Sequence, residues 1–138
     1  FTIASEAIIQ SLLKVIAPYP IPEPVAQIVA QALTAENIER MQQQVTFLNE
    51  QRTTLQTELA KRPGVALVGD VKANYILFRH SHCAQIMQYL VSQGMLIRDQ
   101  SKQLNLQNCL RVTIGSAEQN QRLLSLLDAY FEQAGASL

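Results

Sequence analysis

The sequence predicts an α+β fold in which a mostly antiparallel sheet is covered by helices. Three observations carry this prediction. After Pro63-Gly64 the hydrophobic pattern changes to short strand-like runs and helices in the order β-β-α-β-β-α. Before this change, one long amphipathic helix is expected over 36–64. Earlier still, four prolines within 17–24 separate this helix from the N-terminal helical segment. This order differs from that of a doubly wound nucleotide fold, in which strands and helices alternate throughout.

Composition excludes several functions. The chain has 138 residues, 48% of them hydrophobic, with 11 basic and 11 acidic side chains. One core is expected at this length. A net charge of zero provides no basic stripe for nucleic acid or for an acidic membrane surface. Because the apolar stretches are much shorter than the roughly 20 residues of a membrane span, no membrane insertion is expected either.

The two cysteines, Cys83 and Cys109, form no CxxC pair, so neither a zinc site nor a disulfide framework is indicated. Reduced thiols and a cytoplasmic location are expected. The chain begins with Phe1 rather than Met and lacks the profile of a signal peptide, which indicates a piece of a longer protein.

Two helices joined by a stiff connector are expected at the N-terminal end. The first runs from Ser5, as N-cap, to about Ile16, because Pro18 stops it. Residues 17–24 are expected to be extended, since each proline fixes φ and disfavours helix at its predecessor. Helical periodicity resumes over 25–33.

The long helix carries an apolar seam at spacings of three and four, interrupted only by Arg52. Its opposite face is rich in Gln and Glu, so one side is expected to face a core and the other water. A free-standing coiled coil is the weaker alternative, because only about three and a half heptads precede the strand signals. The seam residues are Ile38, Met41, Val45, Leu48, Leu55 and Leu59.

The remaining residues predict two helices and four strands. Ser81 is expected to cap a helix that ends at Gly94 in the left-handed conformation. Ser116-Ala-Glu-Gln119 is a capping box that opens a final helix reaching Gly135. A polar loop is expected over 99–108. The predicted strands are 65–68, 74–79, 95–97 and 109–114.

The common catalytic fingerprints are missing, since the chain has no Gly-rich phosphate loop, no His-Glu-x-x-His and no Gly-x-Ser-x-Gly. His80 and His82 would share a face if their strand continued. With no further ligand nearby in the sequence, a solvated loop is favoured over a metal site.

Two arginines give a stronger signal. Arg98 ends a predicted strand and Arg111 lies inside one, where an apolar or small residue is usual. A guanidinium offers a fixed fork of donors that matches a carboxylate or a phosphate, so each arginine is a candidate anion receptor. An internal salt bridge to Asp99 or Glu118, or simple exposure on the open face of the sheet, is the equal alternative.

Beyond these patterns, the chain resembles a known family. Residues 94–103, Gly-Met-Leu-Ile-Arg-Asp-Gln-Ser-Lys-Gln, joined to Asn108-Cys-Leu-Arg-Val-Thr-Ile-Gly115, resemble the C-terminal part of the histidinol-phosphate aminotransferases. These are pyridoxal-phosphate enzymes of histidine biosynthesis. Similar stretches follow the family in the same order at 12–20, 25–33 and 73–79.

The resemblance implies part of a fold type I transferase. Residues 1–35 would end the large domain that binds pyridoxal phosphate, 36–64 would form a linking helix, and 65–138 would be the small domain that closes over the substrate. By the same resemblance Arg111 would bind the α-carboxylate of the substrate, and Arg98 the phosphate of histidinol phosphate. Glutamate and 2-oxoglutarate are the other implied substrates, and a homodimer is the implied assembly.

One departure concerns catalysis. In the family a lysine of a Ser-Lys motif forms the Schiff base with the cofactor. The one Ser-Lys pair here, Ser101-Lys102, lies in the Arg-Asp-Gln-x-Lys-Gln loop, whereas the resemblance places the Schiff-base lysine shortly before Phe1. We therefore expect no catalytic or cofactor-binding residue in this chain and no activity from it alone. The lysines are Lys14, Lys61, Lys72 and Lys102.

Two alternatives stay open. Another class I/II aminotransferase, for aromatic or related amino acids, would share Arg111 but not the phosphate partner. A small-molecule-binding regulatory module could also use a four-stranded sheet with two helices. The long leading helices and the Pro-rich connector around Tyr19, interpreted as a rigid spacer, weigh against the module.

Overall fold

A computed structural model describes residues 2–135 of the chain. Within them, no helix has both the length and the apolar content that a membrane crossing requires. Contacts group the chain into two compact units, Phe1–Gln42 and Gln43–Leu138. The predicted boundaries after 35 and 64 stay a prediction. The elements are α1 Glu6–Leu13, α2 Glu23–Ala32, α3 Ala35–Ala60, β1 Ala66–Leu67, β2 Tyr75–Arg79, α4 Cys83–Ser92, β3 Arg98–Asp99, β4 Cys109–Thr113 and α5 Ala117–Gly135.

The first unit contains α1, α2 and the start of α3. Helix α1 ends at Leu13, three residues earlier than predicted. The amides of the next two residues, Lys14 and Val15, donate to the carbonyls three residues earlier and so form turns. Ser5 occupies the N-cap, but its side chain makes no capping hydrogen bond. Helix α2 begins at Glu23, because Pro24 fits the first helical turn. Neither helix contains a buried residue.

Only the C-terminal part of the α3 seam reaches a core. Leu55 and Leu59 are buried and Leu48 packs at the edge of the same cluster. Exposed apolar side chains occupy the earlier seam positions, so the prediction of a fully covered seam is wrong for that half. Those positions are Ile38, Met41 and Val45.

The second unit is built on a four-stranded sheet in the order β1-β2-β4-β3, with every neighbouring pair antiparallel. This confirms the predicted α+β class. Residues directly opposite each other point to the same face, and alternate residues along a strand point to opposite faces. Ile76 and Val112 therefore share one face with Phe78 and Leu110.

That face carries the core. Burying each large apolar side chain contributes about 1.5–3 kcal/mol. The strand residues pack against buried residues from α3, α4 and α5. We call the opposite face the open face; Tyr75, Leu77 and Arg79 point to it from β2.

The third strand is Arg98–Asp99 rather than 95–97. The cause is a Schellman motif at the end of α4: Gly94 has φ +70°, its amide donates to Val91 O, and the Met95 amide donates to Leu90 O. The predicted left-handed Gly94 is thus confirmed. Because the amide of Met95 is used by the helix end, strand pairing begins later.

The capping box of α5 is confirmed by geometry. Gln119 N donates to Ser116 Oγ at 3.3 Å, and Ser116 N donates to Gln119 Oε1 at 3.0 Å. The predicted cap at Ser81 is wrong, since His82 is the N-cap of α4 and its side chain makes no capping bond.

Candidate functional site

Arg98 and Arg111 lie directly opposite each other in the antiparallel pair of β3 and β4. On the other side of Arg111, its partner in β2 is Leu77. Arg111 is therefore on an inner strand and half-buried, whereas Arg98 is on an edge strand and exposed. Both side chains point to the open face, which is what two groups binding one ligand require.

The strands place no acidic residue on the open face within the described part of the chain. Asp99 accepts a hydrogen bond from the amide of Ser101 at 2.8 Å, and Glu118 accepts one from Ser116 Oγ at 2.7 Å. Hydrogen bonding by the side chain of Ser101, and then by its amide, holds the pKa of Asp99 below its ordinary value, and the Ser116 hydroxyl does the same for Glu118. Neither carboxylate pairs with Arg98 or Arg111 among the residues described, so the salt-bridge alternative is wrong there.

A tyrosine ring supports the half-buried arginine. Arg111 Cζ lies 5.1 Å from the centroid of the Tyr75 ring, a cation–π distance. Arg111 Nε is buried and has no hydrogen-bond partner within the described residues. Buried donors are nearly always paired, so this one is an exception that it shares with Arg62 Nε. Tyr75 lies two residues before Leu77, the cross-strand partner of Arg111, so only the strand register reveals this diagonal contact.

A cleft of about 420 Å³ is lined by both Tyr75 and Arg111. One wall is the sheet, with Tyr75, Leu77 and Arg111, and the other is the loop after β3. The loop contributes two amide side chains, which could donate or accept hydrogen bonds, and two apolar ones. They are Gln100, Gln103, Leu104 and Leu106.

The cleft offers no lysine for a Schiff base with pyridoxal phosphate. All of the chain's lysines are exposed, and none lines the cleft. Lys61 pairs with Glu58 and Lys72 with Asp70. Covalent attachment of the cofactor needs a lysine amine, and none of these lysines lines the cleft.

His80 is buried, so the expected solvated loop is wrong for this residue. It is 7% exposed, its Nε2 lies 3.2 Å from Pro63 O, and its Nδ1 accepts the amide of His82 at 2.9 Å. Burial lowers the pKa of the ring below 6.5, partly offset by the Pro63 bond. Residues 2–135 hold no group of three or more metal-ligating side chains. Both Cys83 and Cys109 are buried, free thiols.

With this geometry in place, the class of protein follows from comparison. The family model for aminotransferases of class I and II matches residues 1–127. The chain therefore belongs to the class I and II aminotransferase family, whose members are generally dependent on pyridoxal phosphate.

Several curated relatives of the chain are histidinol-phosphate aminotransferases. The chain is 56% identical to the histidinol-phosphate aminotransferase of Pseudoalteromonas atlantica, over 95% of this chain and 35% of that protein. It is 44% identical to that of Yersinia pseudotuberculosis, over 92% of this chain and 33% of that protein, and 43% identical to that of Escherichia coli, over 94% and 36%. The chain thus spans about a third of the length of these curated relatives.

Solved structures share the fold. A candidate aminotransferase from Burkholderia pseudomallei superposes with a TM-score of 0.75 at 21% identity, over 90% of this chain and 37% of that one. A decarboxylase from Sulfurospirillum multivorans gives 0.74 at 14% identity, over 91% and 37%. Because a decarboxylase shares the fold, the reaction must be argued from the site.

Proposed function

We propose that the chain is the substrate-clamping part of a histidinol-phosphate transaminase, which converts L-histidinol phosphate and 2-oxoglutarate into imidazole acetol phosphate and L-glutamate. One observation carries the proposal: two arginines without an acidic partner among the described residues stand directly opposite each other, and Arg111, though not Arg98, lines a cleft. The curated relatives named above support the choice of substrate.

The two substrates of such an enzyme use one pocket in turn, and each brings a different anion. Glutamate presents an α-carboxylate, and histidinol phosphate presents a phosphate. A guanidinium binds either anion through paired hydrogen bonds. In this proposal Arg111, fixed by Tyr75, receives the carboxylate, and Arg98 binds the phosphate from the edge strand.

Pyridoxal phosphate would supply the electron sink for amino transfer. Since the Schiff-base lysine of the family has no match in this chain, we assign cofactor binding to parts of the protein outside this chain, and we expect this chain alone to be inactive. The chain's own residues bind and orient the substrate. A cytoplasmic homodimer, with 36–64 linking a large and a small domain, completes the proposal.

The test uses the protein produced from the complete reading frame, with pyridoxal phosphate bound and its absorbance recorded. Histidinol phosphate and glutamate are titrated separately against wild type, Arg98→Gln and Arg111→Gln. Leaving a bound anion unpaired costs about 2–5 kcal/mol, so Arg98→Gln should weaken histidinol phosphate far more than glutamate. Arg111→Gln should strongly weaken glutamate.

Arg122→Gln is the control, because Arg122 is exposed and lies outside the cleft. Equal losses for both substrates in Arg98→Gln would remove the phosphate role of Arg98. A wild-type protein that transaminates aromatic amino acids and ignores histidinol phosphate would replace the substrate while keeping the class of enzyme.

A further inference from the structure

A third arginine points to the open face, and its surroundings differ from those of the other two. Arg79 ends β2 and lies opposite Cys109 of β4. Its Nε donates to the carbonyl of Gln107 at 3.0 Å, and its Nη2 donates to the carbonyl of Asn105 at 3.0 Å. Two of its donors are thus engaged by the backbone of the loop between β3 and β4.

That loop contains unfavourable backbone. Asn105 has φ +62° and Asn108 has φ +58°, both in the left-handed region that residues with a side chain rarely adopt. Asparagine tolerates this region better than most residues, but at an energetic cost. Such a conformation persists only where surrounding contacts enforce it. The carbonyl of Asn105 accepts from Arg79, and that of Asn108 accepts from the amide of His80.

The same loop forms one wall of the cleft beside Arg111. Gln100 and Gln103 line it upstream of the residues that Arg79 holds, together with Leu104 and Leu106. A chain of amide-to-carbonyl bonds runs through the wall: Gln103 to Gln100, and Leu106 to Gln103. The carbonyl groups that Arg79 binds belong to the residues on either side of Leu106. Loss of these two hydrogen bonds would therefore free the backbone that positions Leu106 in the cleft wall.

We propose that Arg79 is a positioning residue that holds the loop over 100–108 in the shape that binds an anionic amino substrate beside Arg111. It acts through the loop and makes no contact with the substrate itself. The inference rests on the function proposed above, because that function defines the ligand of the cleft.

The experiment uses the full-length protein with pyridoxal phosphate bound. Three variants are compared with wild type: Arg79→Gln, Arg79→Lys and Arg122→Gln. Arg122 is a matched control, since it is also exposed and its Nη2 donates to a backbone carbonyl, that of Gln93, at 2.7 Å. Both Gln variants therefore lose an arginine-to-carbonyl contact, but only one of them loosens the cleft wall.

Misplacing a binding wall is expected to raise KM by about tenfold for both substrates in Arg79→Gln, with kcat changed by less than about twofold. The KM of Arg79→Lys should lie between those of wild type and Arg79→Gln, because the lysine ammonium can still donate hydrogen bonds but lacks the rigid fork of a guanidinium. Hydrogen exchange at the amides of Gln103 and Leu106 should accelerate in Arg79→Gln and not in Arg122→Gln.

Unchanged protection of these amides in Arg79→Gln would overturn the inference, and so would an equal rise in KM in Arg122→Gln. If Arg79→Gln does not fold, Arg79→Lys provides the same two readouts. A wild-type protein that turns over neither substrate would refute the proposed function, and a wild-type exchange pattern in the Arg79 variants would refute this inference.

Discussion

Arg98 is the direct cross-strand partner of Arg111 in the antiparallel pair of β3 and β4. Residues in such a pair have Cβ atoms about 4.5–5.5 Å apart, and like charges there destabilise the sheet. The described residues provide no carboxylate partner for either guanidinium. In the function proposed above, an anion that binds to the pair offsets this electrostatic cost.

Inorganic phosphate should raise the unfolding midpoint of the protein, because an anion bound between the two guanidinium groups stabilises only the folded state. At 100 times Kd the gain is about 2.7 kcal/mol. Arg98→Gln and Arg111→Gln should lose most of this gain, and without phosphate they should be at least as stable as wild type. Thermal unfolding with sodium chloride of equal ionic strength is the control. A phosphate response that survives both substitutions would place the anion elsewhere.

Tyr75→Leu should raise KM for glutamate about two- to fivefold, because it removes a cation–π contact of about 0.5–1 kcal/mol from Arg111. Tyr75→Phe keeps the ring face and should stay close to wild type. Steady-state kinetics on both variants make the comparison. If Phe were as damaging as Leu, the hydroxyl rather than the ring would be the group that matters.

Acidification should destabilise the protein through His80. Burial holds the pKa of the folded ring below its ordinary value of 6.5, so the unfolded chain binds the proton more tightly. Stability is therefore fully present above pH 6.5 and declines as the pH falls from there toward the folded pKa. The comparison variant is His80→Asn, which has no titrating ring but retains an acceptor for the His82 amide. The residues that contact the ring, His82 and Phe131, are the same in both proteins.

The measurement for this prediction is the unfolding midpoint at pH 7.5 and at pH 5.5. Wild type should lose more stability between these two values than His80→Asn. Equal losses in the two proteins would assign the pH dependence to other groups.

Gly64→Ala should destabilise the protein more than Gly69→Ala. Both glycines have a left-handed φ, +70° and +78°, so each substitution costs about 1–2 kcal/mol of backbone strain. At Gly64 the added Cβ would also lie 2.7 Å from Nε2 of the buried His80, whereas at Gly69 it would meet nothing within 4 Å. The clash should add about 1–3 kcal/mol, as overpacking does. Chemical denaturation of both variants measures the difference, and equal costs would mean that the His80 ring moves aside freely.

Features that depend on neighbouring residues could be predicted well. The capping box at Ser116 and Gln119 and the left-handed Gly94 follow from side chains a few positions apart, and both are present. Boundaries were less accurate where a helix end uses an amide that the strand pattern would claim, as at Met95. The prediction that a core covers the α3 seam was wrong for its N-terminal half, because periodicity indicates an apolar face without indicating what covers it.

Local periodicity and residue chemistry were sufficient for the α+β class and the β-β-α-β-β-α order, and they singled out Arg98 and Arg111 as candidate anion receptors. The tertiary structure decided that these arginines are direct partners, that Tyr75 lies against one of them, that Arg79 donates to two loop carbonyls and that His80 is buried. The physical reason is strand register: pairing between distant segments sets it, and a slip of one residue would turn Arg98 to the other face. Spacing along the chain determines neither that register nor which polar atoms the folded chain leaves without a partner.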